Sequence, residues 1–171
     1  MQTYRRRKIH ETCNEIWGNY SLTPGFDVEE LLEDMGIKYK AESLSNSISA
    51  VLIIKSGKKL VTVNSNHPTT RQRFSISHEL GHLFLDHKKN FDLNEQSKIF
   101  YRDTVSSLGI DTDEIEANYF AACLLMPESE IKSNVIEFLS FEENVEMLSD
   151  KFVVSAAAMT LRLSFLGYSS I

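Results

Sequence analysis

The spacing of apolar residues along the chain predicts two helices before residue 37. Apolar side chains recur every three or four positions over residues 4–20, and again over a second stretch that starts at Asp27. Asp27 is a favoured N-cap residue, and Gly36 suits the left-handed position that closes a helix. We therefore expect the chain to begin with a pair of helices.

The apolar period then falls to two, which indicates extended strands. Residues 37–41 alternate apolar and polar, and residues 50–55 and 59–64 are two more strongly apolar segments. Residues 56–58, which separate these segments, have the composition of a hairpin turn. We predict an α+β fold in which a small antiparallel sheet packs on helices. Residues 88–110 are polar and irregular, and their pattern predicts no element.

A third helix is predicted to start beside Pro68, because proline cannot continue a helix from upstream. Thr69 and Gln72 have the spacing of a capping box. Gly81 lies inside this helix, where glycine costs about 1 kcal/mol relative to alanine, and we interpret it as a close contact with the sheet. The residues that share the apolar face of the helix are Phe74, His78, His82 and Leu85.

The two histidines belong to a His-Glu-x-x-His motif that starts at His78 and ends at His82. Histidines four residues apart on a helix have Cβ atoms about 6 Å apart, so both can bind one metal ion. Glu79 is rotated by about 100° from His78 and can lie beside the ion as a general base for water. Such a short motif also occurs by chance, and the alternative is a pair of buried, hydrogen-bonded histidines on a core helix.

A third ligand must come from elsewhere in the chain, and two nearby candidates fail. Asp86 is eight residues from His78, which is about 12 Å along a helix and too far to share one ion. His87 would fit the metzincin pattern only with glycine and histidine at positions 85 and 88, which are Leu85 and Lys88 here. We therefore expect His87 at the surface or beside the site, not as a ligand.

Glu116 is the better candidate, on a predicted helix that Asp111 and Glu114 can cap and that ends before Pro127. The same face carries Phe120, Cys123 and Leu124. A carboxylate that leads an apolar face needs a partner, and a metal held by two histidines would supply one. The alternative is that Glu116 is exposed in the first turn, where the helix dipole favours acids.

Three further helices are predicted, at about residues 128–139, 142–151 and 155–166. The last two resemble a helix-turn-helix, with Ser155 as the cap of the second. We divide the chain after Pro127, into a metal-binding domain over residues 1–127 and a helical C-terminal segment over residues 128–171.

The charge of the C-terminal segment is unsuited to DNA. Residues 128–171 contain three Lys or Arg and seven Asp or Glu, and the second helix of the pair has only Arg162 as a cation. DNA binding requires several cations to neutralise phosphates, so we expect this segment to pack or to bind a protein partner. The basic residues 5–8 are interpreted as a solvated helix end.

Composition narrows the class of protein further. Hydrophobic residues make up 42% and charged residues 25% of the 171 positions, and the net charge is −6, which argues against general nucleic-acid binding. No apolar run approaches 18 residues, so we expect no membrane span. No apolar segment follows the basic residues 5–8, as a signal peptide would require, so we expect no export. Cys13 and Cys123 are interpreted as reduced core cysteines of a cytoplasmic protein.

The motif at His78 and the run Glu116-Ala-Asn-Tyr-Phe-Ala-Ala-Cys-Leu-Leu-Met-Pro127 together resemble the ImmA/IrrE family of metallopeptidases. The run Arg71-Gln-Arg-Phe, the strand-ending Asn64 and the segment that starts at Asp27 are similar to the same family. The likeness covers most of the chain, and a C-terminal helix-turn-helix agrees with it.

The resemblance implies that His78, His82 and Glu116 bind Zn²⁺ and that Glu79 is the catalytic base of a gluzincin-like peptidase. It also implies the substrate, a helix-turn-helix transcriptional repressor that is cleaved to relieve repression in a mobile element, a phage or a stress response. Two alternatives stay open: a non-catalytic regulator that acts by protein binding, such as a toxin–antitoxin component, and a DNA-binding transcription factor.

Overall fold

The computed structural model describes residues 3–87, 91–92, 97–103 and 112–168, and its fold is mixed α+β. The helices are α1 (Thr3–Asn19), α2 (Val28–Asp34), α3 (Thr69–Phe84), α4 (Thr112–Leu125), α5 (Glu128–Asn134), α6 (Phe141–Phe152) and α7 (Ala156–Phe165). The strands are β1 (Lys38–Glu42), β2 (Ile48–Lys55), β3 (Lys58–Asn64), β4 (Phe91–Asp92) and β5 (Ser97–Asp103). None of the helices in these ranges is long and apolar enough to cross a bilayer.

The sheet has the order β1-β3-β2-β5-β4, and it is mixed, so the prediction of an antiparallel sheet is wrong at one strand. β1 pairs parallel to β3, whereas the other pairs are antiparallel. β3 lies between β1 and β2, so these two strands are not neighbours although they are consecutive in the chain. The Asn64 side chain secures the connection: its Nδ2 donates to the carbonyls of Ser45 and Ile48, and its Oδ1 accepts from the amide of Leu44.

The predicted helix ends are partly confirmed. Asp27 caps α2 by accepting from two backbone amides, and Gly36 follows that helix with φ of +68°. The capping box at Thr69 is wrong, because Pro68 is the N-cap of α3 and Gln72 Nε2 instead donates to the carbonyl of His67 at 2.7 Å. The cap predicted at Asp111 lies outside the described residues.

The first of the predicted C-terminal helices is shorter than expected. α5 ends at Asn134, and Val135 is already extended. The buried Asn144 amide holds the following loop, since its Nδ2 donates to the carbonyls of Ile136 and Leu139 while its Oδ1 accepts from the Ile136 amide. α6 and α7 form the expected helix pair, and Ser155 caps α7.

One hydrophobic cluster joins the N-terminal elements to the C-terminal helices. Its fully buried members come from both sides of residue 127, namely Ile9, Leu32, Leu52, Val61, Leu80, Phe120, Ile131, Leu148, Phe152 and Met159. Arg73 of α3 adds polar contacts, because its Nε donates to the carbonyl of Val153 and its Nη1 to that of Phe26. The turn between α6 and α7 is thereby attached to the helix that carries the histidines.

Candidate metal centre

The centre lies where α3 packs closely on α4. A Cβ atom at Gly81 would stand 3.0 Å from the Cα of Ala117 and 3.2 Å from the Cβ of Phe120. The close contact predicted at Gly81 is therefore present, but with a helix and not with the sheet. This approach brings the first turns of α4 beside His78 and His82.

Three side chains converge in this space. The Nε2 atoms of His78 and His82 are 3.0 Å apart, and each is 3.2 Å from a carboxylate oxygen of Glu114. Both imidazoles are buried, whereas the Glu114 side chain is 22% exposed, so the group opens to solvent on the side of α4. These atoms lie within 4.8 Å of one another, as the ligands of one metal ion must.

The separations fit zinc. Four ligand atoms about 2.0–2.2 Å from a tetrahedral ion lie roughly 3.3–3.6 Å apart, slightly farther than the distances found here. Two imidazoles and one carboxylate are also the donor set of catalytic zinc sites that keep one position for water or substrate. His78, His82 and Glu114 could therefore hold a zinc ion with modest adjustment.

A hydrogen bond to Asn118 orients His78 for this role. The Asn118 Oδ1 atom is 3.0 Å from His78 Nδ1. An amide oxygen only accepts, so Nδ1 carries the proton and the lone pair of His78 is on Nε2, which faces Glu114. Glu114 and Asn118 are four residues apart on α4 and share one face, as the two histidines do on α3.

His87 is buried beside the site and contacts a histidine of the centre. Its Nδ1 is 3.0 Å from His82 Nδ1, and its Nε2 is 3.3 Å from Glu116 Oε2. Burial lowers the pKa of His87, an effect that the Glu116 hydrogen bond and the nearby Asp113 charge partly oppose. His87 was expected either at the surface or beside the site, and the structure places it beside the site.

Glu116, the predicted third ligand, lies beside the centre against His87 and Arg5, and its role as a ligand stays a prediction. Its side chain is 2% exposed and contacts His87, and its Oε1 is 3.5 Å from Arg5 Nε. Residues two apart on a helix are rotated by about 200°, so Glu114 and Glu116 cannot point in the same direction. The sequence pattern predicts a capping role for Glu114, but its four-residue spacing from Asn118 is a signal for a shared helix face.

Glu79 lies on α3 directly after His78, as the motif requires, and its side chain is 1% exposed. The backbone rotation of about 100° per residue separates it from the face that carries the two histidines. The structure thus places a buried carboxyl group one residue from the centre. Its role as the base remains a prediction.

An apolar cavity of about 400 Å³ adjoins the centre. Asn118, which contacts His78, lines it together with Phe74, Ile115, Ala122, Leu161 and Phe165. Leu161 and Phe165 of α7 are 70% and 63% exposed, so the rim of the cavity is apolar as well. A large apolar side chain of a bound peptide would fit here.

Three of the cations near the two ends of the chain, Arg6, Arg7 and Arg162, have partners within the protein. Arg162 is 4% exposed and donates from Nε to the carbonyl of Met126 at 2.8 Å. Arg6 stacks over the rings of Tyr119 and Phe165, and Arg7 is paired with a glutamate on the next turn of α1. The large exposed side chains of α7 are those of Leu161 and Phe165, which are apolar.

The fold and the site define an α+β domain with a candidate metal centre between two helices. Residues 32–164 match the model of the peptidase M78 family, described as the IrrE N-terminal-like domain, and the chain belongs to this family. The resemblance found in the sequence is confirmed. This is a family of zinc metallopeptidases, which agrees with the possible metal site of His78, His82 and Glu114.

The chain is also similar to two other proteins. It is 29% identical over 99 residues to the uncharacterized immunity region protein 2 of Bacillus phage phi105, and the match spans 58% of each chain. A solved structure of a Mycobacterium tuberculosis transcriptional regulator superposes with a TM-score of 0.63 over 92% of this chain and 46% of that one, at 17% identity. The chain thus spans about half of either protein, and the second likeness concerns the fold alone.

Proposed function

We propose that this protein is a zinc-dependent endopeptidase in which His78, His82 and Glu114 bind the metal and Glu79 is the general base. The observation that carries the proposal is the convergence of the Glu114 carboxylate on the two histidine Nε2 atoms, in a chain of a peptidase family. Glu114 takes the place that the sequence had assigned to Glu116.

The residues of the chain would share the work of peptide hydrolysis. Zinc, when bound, lowers the pKa of water and polarises the scissile carbonyl. Glu79 accepts the proton of the attacking water and delivers it to the leaving amine. Asn118 holds the His78 ring in place throughout, and the apolar cavity beside it receives a large side chain of the substrate.

The proposed substrate is a helix-turn-helix transcriptional repressor, cleaved in the cytoplasm to relieve repression. The peptidase family supports this setting, as does the similarity of the chain to an immunity region protein and to a transcriptional regulator. DNA binding by α6 and α7 is disfavoured, because Arg162 is buried and α7 exposes Leu161 and Phe165.

A second candidate is a regulator that binds its partner without cleaving it. The exposed apolar residues of α7 beside the cavity favour a protein-binding surface. Both candidate functions use the same surface beside the cavity, so they are distinguished only by whether the bound partner is cleaved.

The first test is zinc per chain by elemental analysis of wild type, Glu114→Ala and Glu116→Ala, each purified without added zinc. We expect about one zinc in wild type and a clear loss in Glu114→Ala. A loss in Glu116→Ala that equals or exceeds it would return the third-ligand role to Glu116. Wild type that cannot be loaded with zinc would overturn the peptidase proposal.

The second test uses as substrate a helix-turn-helix repressor, which we expect to be encoded beside this gene, with cleavage followed by mass spectrometry. Wild type should cut the repressor, and Glu79→Gln should bind zinc without cutting it. Glu142→Gln, a change at an exposed acid of α6, is the matched control. If Glu79→Gln still relieves repression in cells, the binding regulator is the better account.

A further inference from the structure

We propose that Glu116 and His87 form a hydrogen-bonded relay that positions His82, so that both act on the metal centre without binding the metal. The relay is the series Glu116, His87, His82, in which each side chain contacts the next. The proposal rests on the metal site proposed above and assigns a purpose to two buried polar residues that the site itself does not use.

The contacts of the relay follow one another without a gap. Glu116 Oε2 is 3.3 Å from His87 Nε2, and His87 Nδ1 is 3.0 Å from His82 Nδ1. The opposite nitrogen of His82, Nε2, is the one that faces His78 and Glu114. The relay therefore ends at the atom that would bind the ion.

The chemistry of the groups fixes the direction of these hydrogen bonds. A carboxylate only accepts, so the proton between Glu116 and His87 belongs to His87 Nε2. A neutral imidazole with its proton on Nε2 accepts at Nδ1, and His82 must then donate from its own Nδ1. The lone pair of His82 is thereby left on Nε2, as metal binding requires.

Burial and a surface arginine hold the relay in this arrangement. His87 is 5% and Glu116 2% exposed, so water competes little for either hydrogen bond. The other oxygen of Glu116, Oε1, is 3.5 Å from Arg5 Nε, and this contact helps to fix the orientation of the side chain.

The two histidines of the centre thus have different supports. Asn118 supports His78 directly through an amide oxygen, whereas His82 depends on a second histidine and a carboxylate from the other helix. Asparagine at position 87 would reproduce for His82 what Asn118 does for His78, because its amide reaches about as far as imidazole Nδ1. The longer glutamine side chain reaches the position of Nε2, so it would keep the hydrogen bond to Glu116 but lose the one to His82.

This difference in reach provides the test. Zinc affinity of the full chain is measured by competition with a chromophoric chelator at pH 7, for wild type, His87→Asn, His87→Gln and Glu116→Leu. His87→Asn should remain within about threefold of wild type. His87→Gln and Glu116→Leu should lose about 10- to 100-fold, the usual cost of removing a partner of a metal ligand. His10→Gln, whose histidine contacts Tyr119, is the matched control and should not change.

A readout on wild type alone covers the case in which a variant fails to fold. Nitrogen-15 NMR of the imidazoles in the zinc-loaded protein should show His87 protonated on Nε2 and His82 on Nδ1. A His87 proton on Nδ1 would overturn the relay. So would equal zinc affinity of wild type, His87→Asn and His87→Gln.

The outcomes separate the relay from the proposed function. If wild type binds zinc tightly and His87→Gln binds it equally, only the relay falls. If wild type binds no zinc, the metal centre falls and takes the relay with it. If Glu116→Leu loses zinc while Glu114→Ala keeps it, Glu116 is a ligand and not a positioning residue.

Discussion

Two acids on one turn of α4 have different partners. Their order in the chain does not by itself tell which of them faces the histidine pair. Glu114 faces the histidine pair, and Glu116 faces His87 and Arg5. Both are close to the centre, so a loss of activity on substitution would not distinguish a ligand from a positioning residue. The size of the loss in zinc affinity does: only the ligand donates a lone pair to the ion, so its removal should cost more than the roughly 10- to 100-fold expected for a positioning residue.

The proposed base gives a prediction at the scale of one residue. Glu79→Gln removes the proton acceptor but keeps the size of the side chain, so kcat for repressor cleavage should fall by about 10²- to 10⁴-fold. Zinc per chain should stay at the wild-type value. Stopped assays with the purified repressor measure the first quantity, and elemental analysis the second. A fall of less than tenfold would assign the base to another group.

The cysteines give a second prediction at this scale. Cys13 and Cys123 are both free and buried, and burial raises the pKa of each thiol, so the reactive thiolate is scarce. At pH 8, iodoacetamide should leave both unmodified for hours in the folded protein and alkylate both within minutes in urea. Intact-mass measurement follows the reaction. Rapid modification of the folded chain would contradict this burial.

The contact of α3 with α4 gives a prediction at the scale of elements. Gly81→Ala puts a Cβ atom 3.0 Å from the Ala117 Cα and 3.1 Å from its carbonyl oxygen, which is backbone that cannot move aside cheaply. We expect the free energy of unfolding to fall by about 1–3 kcal/mol. Urea titration of the metal-free protein measures this change.

Gly18→Ala in α1 is the matched control, because nothing lies within 4 Å of the added Cβ atom. Alanine is the better helix residue, so this variant should be stabilised by about 0.5–1 kcal/mol. If both glycine variants gain stability, α3 and α4 are farther apart than the structure shows.

The cavity beside the centre gives a second prediction at the scale of elements. Ala122→Trp would fill part of the space that we assign to a substrate side chain, and KM for the repressor should rise at least tenfold with little change in zinc content. Ala156→Trp, at an exposed position of α7 that does not line the cavity, is the control. Equal effects of the two variants would contradict the assignment of the cavity.

At the scale of the whole molecule, the shared core predicts cooperative unfolding. The cluster includes Leu80 and Phe120 as well as Leu148 and Met159, so residues 1–127 and 128–171 bury apolar surface against each other. Trp17, the single tryptophan, donates to the carbonyl of Leu124 and reports on the contact of α1 with α4.

Urea transitions of the metal-free protein followed by tryptophan fluorescence and by far-ultraviolet circular dichroism should therefore coincide. Circular dichroism reports on all helices, including α6 and α7, and would show a separate step if the C-terminal segment unfolded independently. Two resolved transitions would support the division at residue 127 that the sequence suggested.

Local patterns in the sequence predicted the structure correctly where a residue interacts with its near neighbours in the chain. Asp27 and Ser155 cap their helices as predicted, because a cap bonds to amides two or three residues away. The four-residue spacing of His78 and His82 likewise settles that both rings lie on one side of α3. The capping box at Thr69 failed because the carbonyl of His67, just outside the predicted helix, offers Gln72 a competing acceptor.

The sequence by itself determined the mixture of helices and strands, the histidine pair and the family to which the chain belongs, since each is recorded in short-range spacing. The tertiary structure alone decided which acid of α4 meets that pair, because the answer depends on how α4 is rotated where it packs against Gly81. It also decided that β3 separates β1 from β2 and that His87 joins Glu116 to His82. These are contacts between segments far apart in the chain, and no local period encodes them.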